Sequence, residues 1–545
     1  MRTLNALAMC LATFPVAAMA QDLDEGSDEA RSTERGVEIA PYIEAAQVVT
    51  AELQPGDDFV TFTRVAAGVD AGFGGRYSSG SVSVRYERRF GWSDDVSDAD
   101  TISGIARTSL AVAGPNLTLE AGALASRTRL DGNGGTSIGA FGADDDFTTQ
   151  VYSIYAGPAV RTQIDQAEVT GAYRLGYTRA ESVDVPQLTP DGDTIDVFDE
   201  SVTHNLGARI GFAPDTVLPV GVGVGAGWNR QDVSNLDQRI DDVYVRGDVT
   251  VPVSPNVALV GGIGYENVEV SSRDALRDAD DNPVIGPDGR FVTDTSTPRE
   301  IAYETDGIIW DVGVMWRPSR RTSLSAGLGR RYGSMTYYGN LTYQPNASSS
   351  LGVSVYDNLN SFGGQLVGTL DELGTEFEAF RNPVTGDLGG CVIGVEGDNC
   401  ALARLGSLRS GVFRSRGVSL GYGGQQARWS YSIGAGYDRR TFIAGEDTIL
   451  AETDGIADET FWIASTLGHR LDRNSDLSFG AFGSLFDSGV ADTGVAYGYS
   501  VNAAYNRSFI EGLTGTAAVG LDGITRENLP DFQGASALVG LRYTF

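Results

Sequence analysis

Apolar and polar residues alternate along almost the whole of this chain, and the final run shows the pattern most plainly. Ala537, Val539, Leu541, Tyr543 and Phe545 form one file, while Ser536, Gly540, Arg542 and Thr544 form the other. Successive side chains of a β-strand point to opposite faces, so a period of two predicts a strand with one greasy side and one polar side. Earlier runs repeat the arrangement. Val82, Val84, Tyr86, Phe90 and Trp92 oppose Ser81, Ser83, Arg85, Glu87 and Arg89, with Arg88 a misfit on the apolar file. Ile308, Trp310, Val312, Val314 and Trp316 oppose Asp311 and Arg317. Tyr and Trp fall towards strand ends, where a bilayer would place its interfacial girdles.

The pattern predicts twenty-two strands, near 37–52, 58–73, 77–92, 101–114, 117–130, 149–162, 166–181, 198–213, 217–230, 240–252 and 256–270, then 304–317, 321–333, 334–345, 349–357, 410–423, 426–441, 457–471, 476–487, 492–508, 513–524 and 532–545. Their connections alternate in length. Every second one is turn-like, as at Gly74-Gly75-Arg76, Gly114-Pro115-Asn116, Pro318-Ser319-Arg320 and Glu511-Gly512. The long segments, near 131–148, 182–197, 271–303, 358–409 and 442–456, all fall in the other set. A strand miscounted midway would have switched the later long segments to the wrong side, so an even number near twenty-two is expected, within 18 to 24. The fold class this predicts is all-β, a transmembrane antiparallel up-and-down barrel over 37–545. A secreted propeller or β-helix would carry a fixed repeat, and none is found.

The amino terminus places the chain outside the cytoplasm. Arg2, the apolar stretch Leu4 to Val16 and Ala18-Met19-Ala20 have the order of a secretory signal peptide, expected over 1–20 and followed by an acidic leader over 21–36. About sixteen residues between cleavage and the first strand leave no room for a plug domain ahead of the barrel. After cleavage no apolar run is long enough for a transmembrane helix. Cys391 and Cys400 then suggest a local disulfide within 358–409. There are 72 acidic residues against 40 basic ones, all of the latter Arg, so the net charge is −32. Nucleic acid is therefore not an expected partner, because phosphate needs a basic face.

The polar files should line the interior. They carry Arg64, Asp70, Arg85, Glu87, Arg107, Glu120, Arg174, Arg209, Arg246, Asp248, Asp311, Arg331 and Arg542 among Gly, Ser, Thr and Asn. A wide barrel cannot fill itself with such side chains and must hold water or a plug. These charges either sort a solute by a field across the lumen or form wall ion pairs that only stiffen the barrel. Within 358–409, Leu370, Leu373, Phe377 and Phe380 recur at helical spacing, and Leu402, Leu405 and Leu408 suggest a second helix. Such a loop constricts the mouth, caps the rim, or is an ordinary stapled loop. Outer carboxylates such as Asp278, Asp280 and Asp281 attract cations and offer bridges to lipopolysaccharide. Pro283 and Gly289 spoil any calcium-loop pattern there, so no metal site and no cofactor is expected. His204 and His469 fall on lipid-facing files, away from any pocket, and no enzymatic activity is expected.

A terminal aromatic closing a strand, here Leu541, Tyr543 and Phe545, resembles the signal by which bacterial barrel-assembly machinery recognises its clients. Tyr42-Ile43-Glu44, Arg85-Tyr86-Glu87-Arg88-Arg89, Asn282-Pro283-Val284-Ile285-Gly286-Pro287-Asp288-Gly289-Arg290 and Trp316-Arg317-Pro318-Ser319-Arg320-Arg321-Thr322 resemble motifs of a β-barrel porin group of Gram-negative, alphaproteobacterial bacteria. Some members of that group are associated with exopolysaccharide export. The resemblance implies an outer-membrane protein in contact with lipid and lipopolysaccharide. It further implies a channel for passive diffusion of small solutes or oligosaccharides, or else an outer gate for polysaccharide export, or a structural or adhesive barrel with a sealed lumen.

Overall fold

A computed structural model describes residues 36–545 apart from 55, 57, 93–97, 131–135, 138–147, 183–197, 287–289, 395–407, 491–493 and 528–530. The expected signal peptide and all but the end of the acidic leader lie outside the described residues. The first strands are β1 (Val37–Gln54), β2 (Phe59–Gly74), β3 (Ser79–Gly91), β4 (Ala99–Ala111), β5 (Leu117–Leu130), the two-residue β6 (Thr136–Ser137), β7 (Thr148–Ile164) and β8 (Ala167–Ser182). There follow β9 (Glu200–Phe212), β10 (Gly221–Val233), β11 (Gln238–Ser254), β12 (Val257–Ser272), β13 (Glu300–Ser319), β14 (Thr322–Arg331), β15 (Ser334–Asn346) and β16 (Ser349–Asn360). After helix α1 (Phe362–Asp371) come β17 (Phe377–Arg381) and β18 (Leu388–Gly394). The chain closes with β19 (Val412–Gln426), β20 (Trp429–Ile443), β21 (Ala457–Arg470), β22 (Ser475–Asp487), β23 (Val495–Ile510), β24 (Leu513–Arg526) and β25 (Phe532–Thr544).

Twenty-two of these strands form one antiparallel ring in chain order, which is the number the alternation predicts. β6 only extends the edge of β5, and β17 and β18 pair with each other as a separate hairpin. The ring closes where β1 meets β25, in register from Tyr42 opposite Thr544 to Ala51 opposite Ala535. With both edges paired, no strand end is left to seek hydrogen bonds in hydrocarbon. The apolar files face outward: Val539 is 70% exposed and Leu541 52%. No helix among the described residues is long and apolar enough to cross a membrane. The chain crosses with strands instead, in the architecture of bacterial outer-membrane proteins, whose short turns face the periplasm.

One expected boundary shifts. The strand predicted from 217 begins at Gly221, because Pro214 and Pro219 cannot donate to a ladder and Asp215 turns through a positive φ of 63°. The rest of the strand ends move by a few residues. The connections on the long-segment side are not all long: β14 passes to β15 through Tyr332 and Gly333 alone, both at positive φ, the geometry of a tight hairpin.

The closing seam is braced from inside. Tyr42 of β1 is 2% exposed and lies flat over Gly68 of β2. The Arg542 guanidinium of β25 sits 3.5 Å above the ring and reaches on to Asp70 at 2.8 Å. A Cβ at position 68 would come within 2.4 Å of the Tyr42 ring and 2.7 Å of the Val84 carbonyl. Gly68→Val is therefore expected to destabilise the barrel by about 2 kcal/mol, seen as a lower temperature for loss of the compact, heat-modifiable gel species. Gly207→Ala, where a Cβ meets nothing within 4 Å, is expected to leave that temperature unchanged.

Candidate functional site

Among the described residues the inner wall brings polar side chains together on the scale of a solute, and it obeys a simple rule. On the inner face of β9 to β15, long polar side chains stand on odd strands and glycines on the even strands between them. Arg209 (β9) reaches across β10 to bind Asp248 (β11) at 2.6 and 3.0 Å. Arg246 (β11) crosses β12 to bind Asp311 (β13) at 2.7 and 2.8 Å, and Tyr338 (β15) crosses β14 to donate to Asp311 at 2.9 Å. Cβ atoms at the intervening Gly223, Gly262 and Gly327 would stand 2.3, 2.2 and 2.5 Å from the crossing side chains. The glycines are what allow the guanidinium planes to lie flat on the wall. With Arg246 also 3.6 Å from Asp248, the result is an unbroken ladder of alternating charge.

Three further clusters line the interior. Arg64 and Arg85 converge on Glu44 and Glu87, with contacts from 2.8 to 3.3 Å. Arg107 and Arg174 share Glu120 at 3.4 and 3.2 Å, and Arg331 bridges Asp242 and Glu266 at 2.8 and 3.3 Å. Each of the charges assigned to the polar files is engaged in an ion pair, Asp70 with Arg542 among them. Glu44, Asp242 and Glu266 belong to the same networks but were not singled out from the alternation. Each shares a polar file with the residues it binds, and that was the available signal.

The chain between β16 and β19 enters the lumen. Ser361 starts α1 as its cap: its hydroxyl accepts from the Gly364 N–H, and Ser361 itself donates to Gln231 of β10 at 2.8 Å. Gly363 lets the helix lie directly on the wall, since a Cβ there would meet the Ser201 hydroxyl at 1.9 Å. Phe362, Leu366, Val367 and Leu370 bury against Ile105, Leu124, Val151 and Tyr155 of the wall. At the end of the helix Asp371 binds Arg174 at 2.7 Å and Arg107 at 3.6 Å. Thr375 then touches Ser79, near the short-turn end of β3, at 2.5 Å. The β17–β18 hairpin follows: Arg381 donates to Ser103 and Ser83, the Val384 carbonyl accepts from Arg64 at 2.5 Å, and Asp387 pairs with Arg127 at 3.1 Å.

The expected helical face is corrected in part. Leu370 is on the helix, but Leu373 follows it, and Phe377 and Phe380 stand on β17. The helix starts earlier because Ser361 caps it, and it ends at Asp371, where the two arginines hold the carboxylate. Leu373 remains buried, and Phe380 packs towards Gly389 and Gly480. Cys400, Leu402 and Leu405 lie outside the described residues, as does the side chain of Cys391, and with them the expected disulfide. Leu408 is buried, and its carbonyl accepts from the Phe198 N–H.

At the long-loop mouth, the β12–β13 and β20–β21 connections meet. The Ile449 N–H donates to Asp274 at 2.7 Å, and Leu236, Ala275, Ala444 and Leu450 bury together. Asp278 accepts from the Asp280 and Asn282 N–H groups, which hold its carboxyl below the usual carboxylate range and spend its oxygens on a turn. No group of metal-binding side chains occurs among the described residues. His204 stacks on Trp228 and His469 on Trp429, both outside the barrel.

The insertion packs on the wall from β20 through the seam to β10. Two cavities of about 660 and about 570 Å³ open along the wall from β4 to β15, lined by wall and turn residues. Arg209, Arg246 and Asp248 line both.

Solved structures with the same kind of barrel include the FrpB iron transporter of Neisseria meningitidis in its apoprotein form, at 10% identity and a TM-score of 0.45 over 93% of this chain and 81% of that one. The siderophore receptor PiuA of Acinetobacter baumannii aligns at 10% identity and 0.41 over 92% and 82%, and the copper transporter OprC at 14% and 0.38 over 94% and 82%. No family model and no curated protein matches the sequence. The fold defines an outer-membrane β-barrel.

Asp387 and Arg127 are both nearly buried, at 4% and 12% side-chain exposure. Asp387→Asn is expected to weaken docking of the hairpin by about 3 kcal/mol, because a buried cation loses its carboxylate. Limited trypsin digestion of the folded barrel should then cut after Arg381 at least about ten times faster than in the unaltered protein, as read by fragment mass.

Proposed function

We propose that this barrel is an outer-membrane channel for small polar solutes or oligosaccharides, and that its own β16–β19 insertion narrows the lumen at rest. The supporting observation is the open space against the β9–β15 ladder, where two cavities of about 660 and about 570 Å³ share Arg209, Arg246 and Asp248. A barrel built only for mechanical strength would gain by filling that volume, since empty polar-lined space forfeits packing. Here the wall that lines the open space carries glycine where it needs flatness and charge where a solute would pass. The flat, bidentate Arg–Asp rungs offer donors and acceptors at regular spacing, suited to hydroxyl-rich or zwitterionic molecules. Passage is by diffusion and requires the insertion to shift. Its apolar seat on β5 to β9 holds it closed, while the ion pairs at Asp371 and Asp387 fix where it sits.

A barrel sealed by a fixed plug is the competing reading, favoured by the burial of Phe362, Leu366 and Leu370. Planar-bilayer recording on the full-length protein separates the two. The unaltered protein is expected to open rarely, and Asp371→Ala with Asp387→Ala to raise the open fraction. Asp248→Asn with Asp311→Asn should shift the reversal potential towards anions, because the ladder then keeps its arginines alone. Silence from all of these proteins in bilayers, with folding intact, would sink the channel and leave the sealed barrel standing.

A further inference from the structure

The arginines of this chain are sorted by where they find partners. Within the lumen, in the insertion's wall contacts and around the long-loop mouth, most are paired with carboxylates, including Arg88, Arg179 and Arg439 on the outer face. The short-turn rim is different. Arg317, Arg320 and Arg321 at the β13–β14 turn, Arg428 at β19–β20, and Arg470 and Arg473 at β21–β22 are exposed and form no ion pair among the described residues. In a chain with 72 acidic residues and 40 arginines, an exposed guanidinium without a carboxylate is uncommon among the described residues; Arg76, Arg330 and Arg507 are scattered examples elsewhere, whereas these six gather on one arc of the short-turn rim.

Nearby carboxylates are turned to other work. Asp472 accepts from the Asn474 N–H at 2.7 Å, and Asp476 from the Asn506 amide at 2.9 Å. The arginines are meanwhile held at the rim: Arg428 donates to the Leu471 carbonyl at 2.9 Å and Arg321 to the Pro345 carbonyl at 3.4 Å. Beside them, facing outward, stand Trp316 and Trp429, 41% and 44% exposed. Interfacial aromatics mark the level of the head groups. Guanidinium groups at that depth lie among phosphates, which they bind in bidentate fashion.

We propose that this arc, from β13 to β22, is a binding surface for anionic phospholipid head groups of the periplasmic leaflet. The arginines supply charge that the protein itself leaves uncompensated, and the tryptophans set their depth. The surface rests on the barrel fold and not on whether the lumen conducts.

The test uses the full-length barrel in nanodiscs of phosphatidylcholine, with or without phosphatidylglycerol, at low salt. Native mass spectrometry is expected to show phosphatidylglycerol retained about tenfold over phosphatidylcholine, and the heat-modifiable gel species is expected to survive to a higher temperature with it. Both effects should fall in high salt and disappear in Arg320→Gln with Arg428→Gln and Arg473→Gln, while that variant still melts like the unaltered protein in phosphatidylcholine alone. Arg88→Gln with Arg439→Gln, at the opposite end of the barrel, should keep both. Equal retention of the two lipids, or enrichment surviving in the rim variant, overturns the proposal. So does binding of a soluble polyanion such as polygalacturonate that depends on the rim arginines while phosphatidylglycerol has no effect, since the arc would then face a periplasmic polymer.

Discussion

The hydrogen bonds between β1 and β25 are the contact on which the molecule depends. In hydrocarbon an unpaired backbone amide costs several kcal/mol, so a sheet of twenty-one paired interfaces with two open edges has no place in a membrane. Closing it converts the longest separation in the sequence into the nearest contact in space, with Tyr42 opposite Thr544. That pairing has a high entropic cost. The chain reinforces it with side chains rather than backbone alone: Arg542 over Tyr42, Tyr42 over Gly68, and the Phe545 N–H on the Pro41 carbonyl at 2.9 Å.

Once the ring is closed, its width sets the next problem. Side chains from twenty-two strands cannot meet across the middle, so the interior must be lined, filled or both. The chain does both, on two arcs. From β20 round to β10 the wall accepts the insertion and offers it apolar or small residues, such as Ile105, Leu124 and Val151 beneath α1, and Ala46, Val48 and Ala518 beneath Val384. From β9 to β15 it carries the charged ladder. The asymmetry of the lumen is thus written into which residues occupy the inward file on each arc.

The outer face, the number of strands and the lumen charges were legible because each depends on a period of two, which survives without knowledge of tertiary structure. The insertion was not legible to the same degree. Its hairpin is short, its helix holds three glycines, and its position depends on contacts hundreds of residues away, such as Val384 with Arg64. There was a signal, nonetheless. Ile105, Leu124, Val151 and Val48 break the polar file of their strands, and an apolar side chain on the wet face of a wide barrel needs something to cover it. Those misfits trace the footprint of the insertion. The ladder was half visible: its charges could be assigned to the interior, but their pairing across an intervening strand could not, because alternation says nothing about the neighbour two strands away.

The glycines between the rungs have a mechanical consequence. Because each crossing side chain ties strand n to strand n+2, β9 to β15 are sewn together twice, once by backbone ladders and once by a second stitch that skips a strand. Charge and stiffness on that arc are therefore one property. A change that rewrites the electrostatic pattern facing the water also unpicks the lacing of the wall, so this half of the barrel is constrained to vary in whole stitches, charged pair and glycine together, rather than one residue at a time.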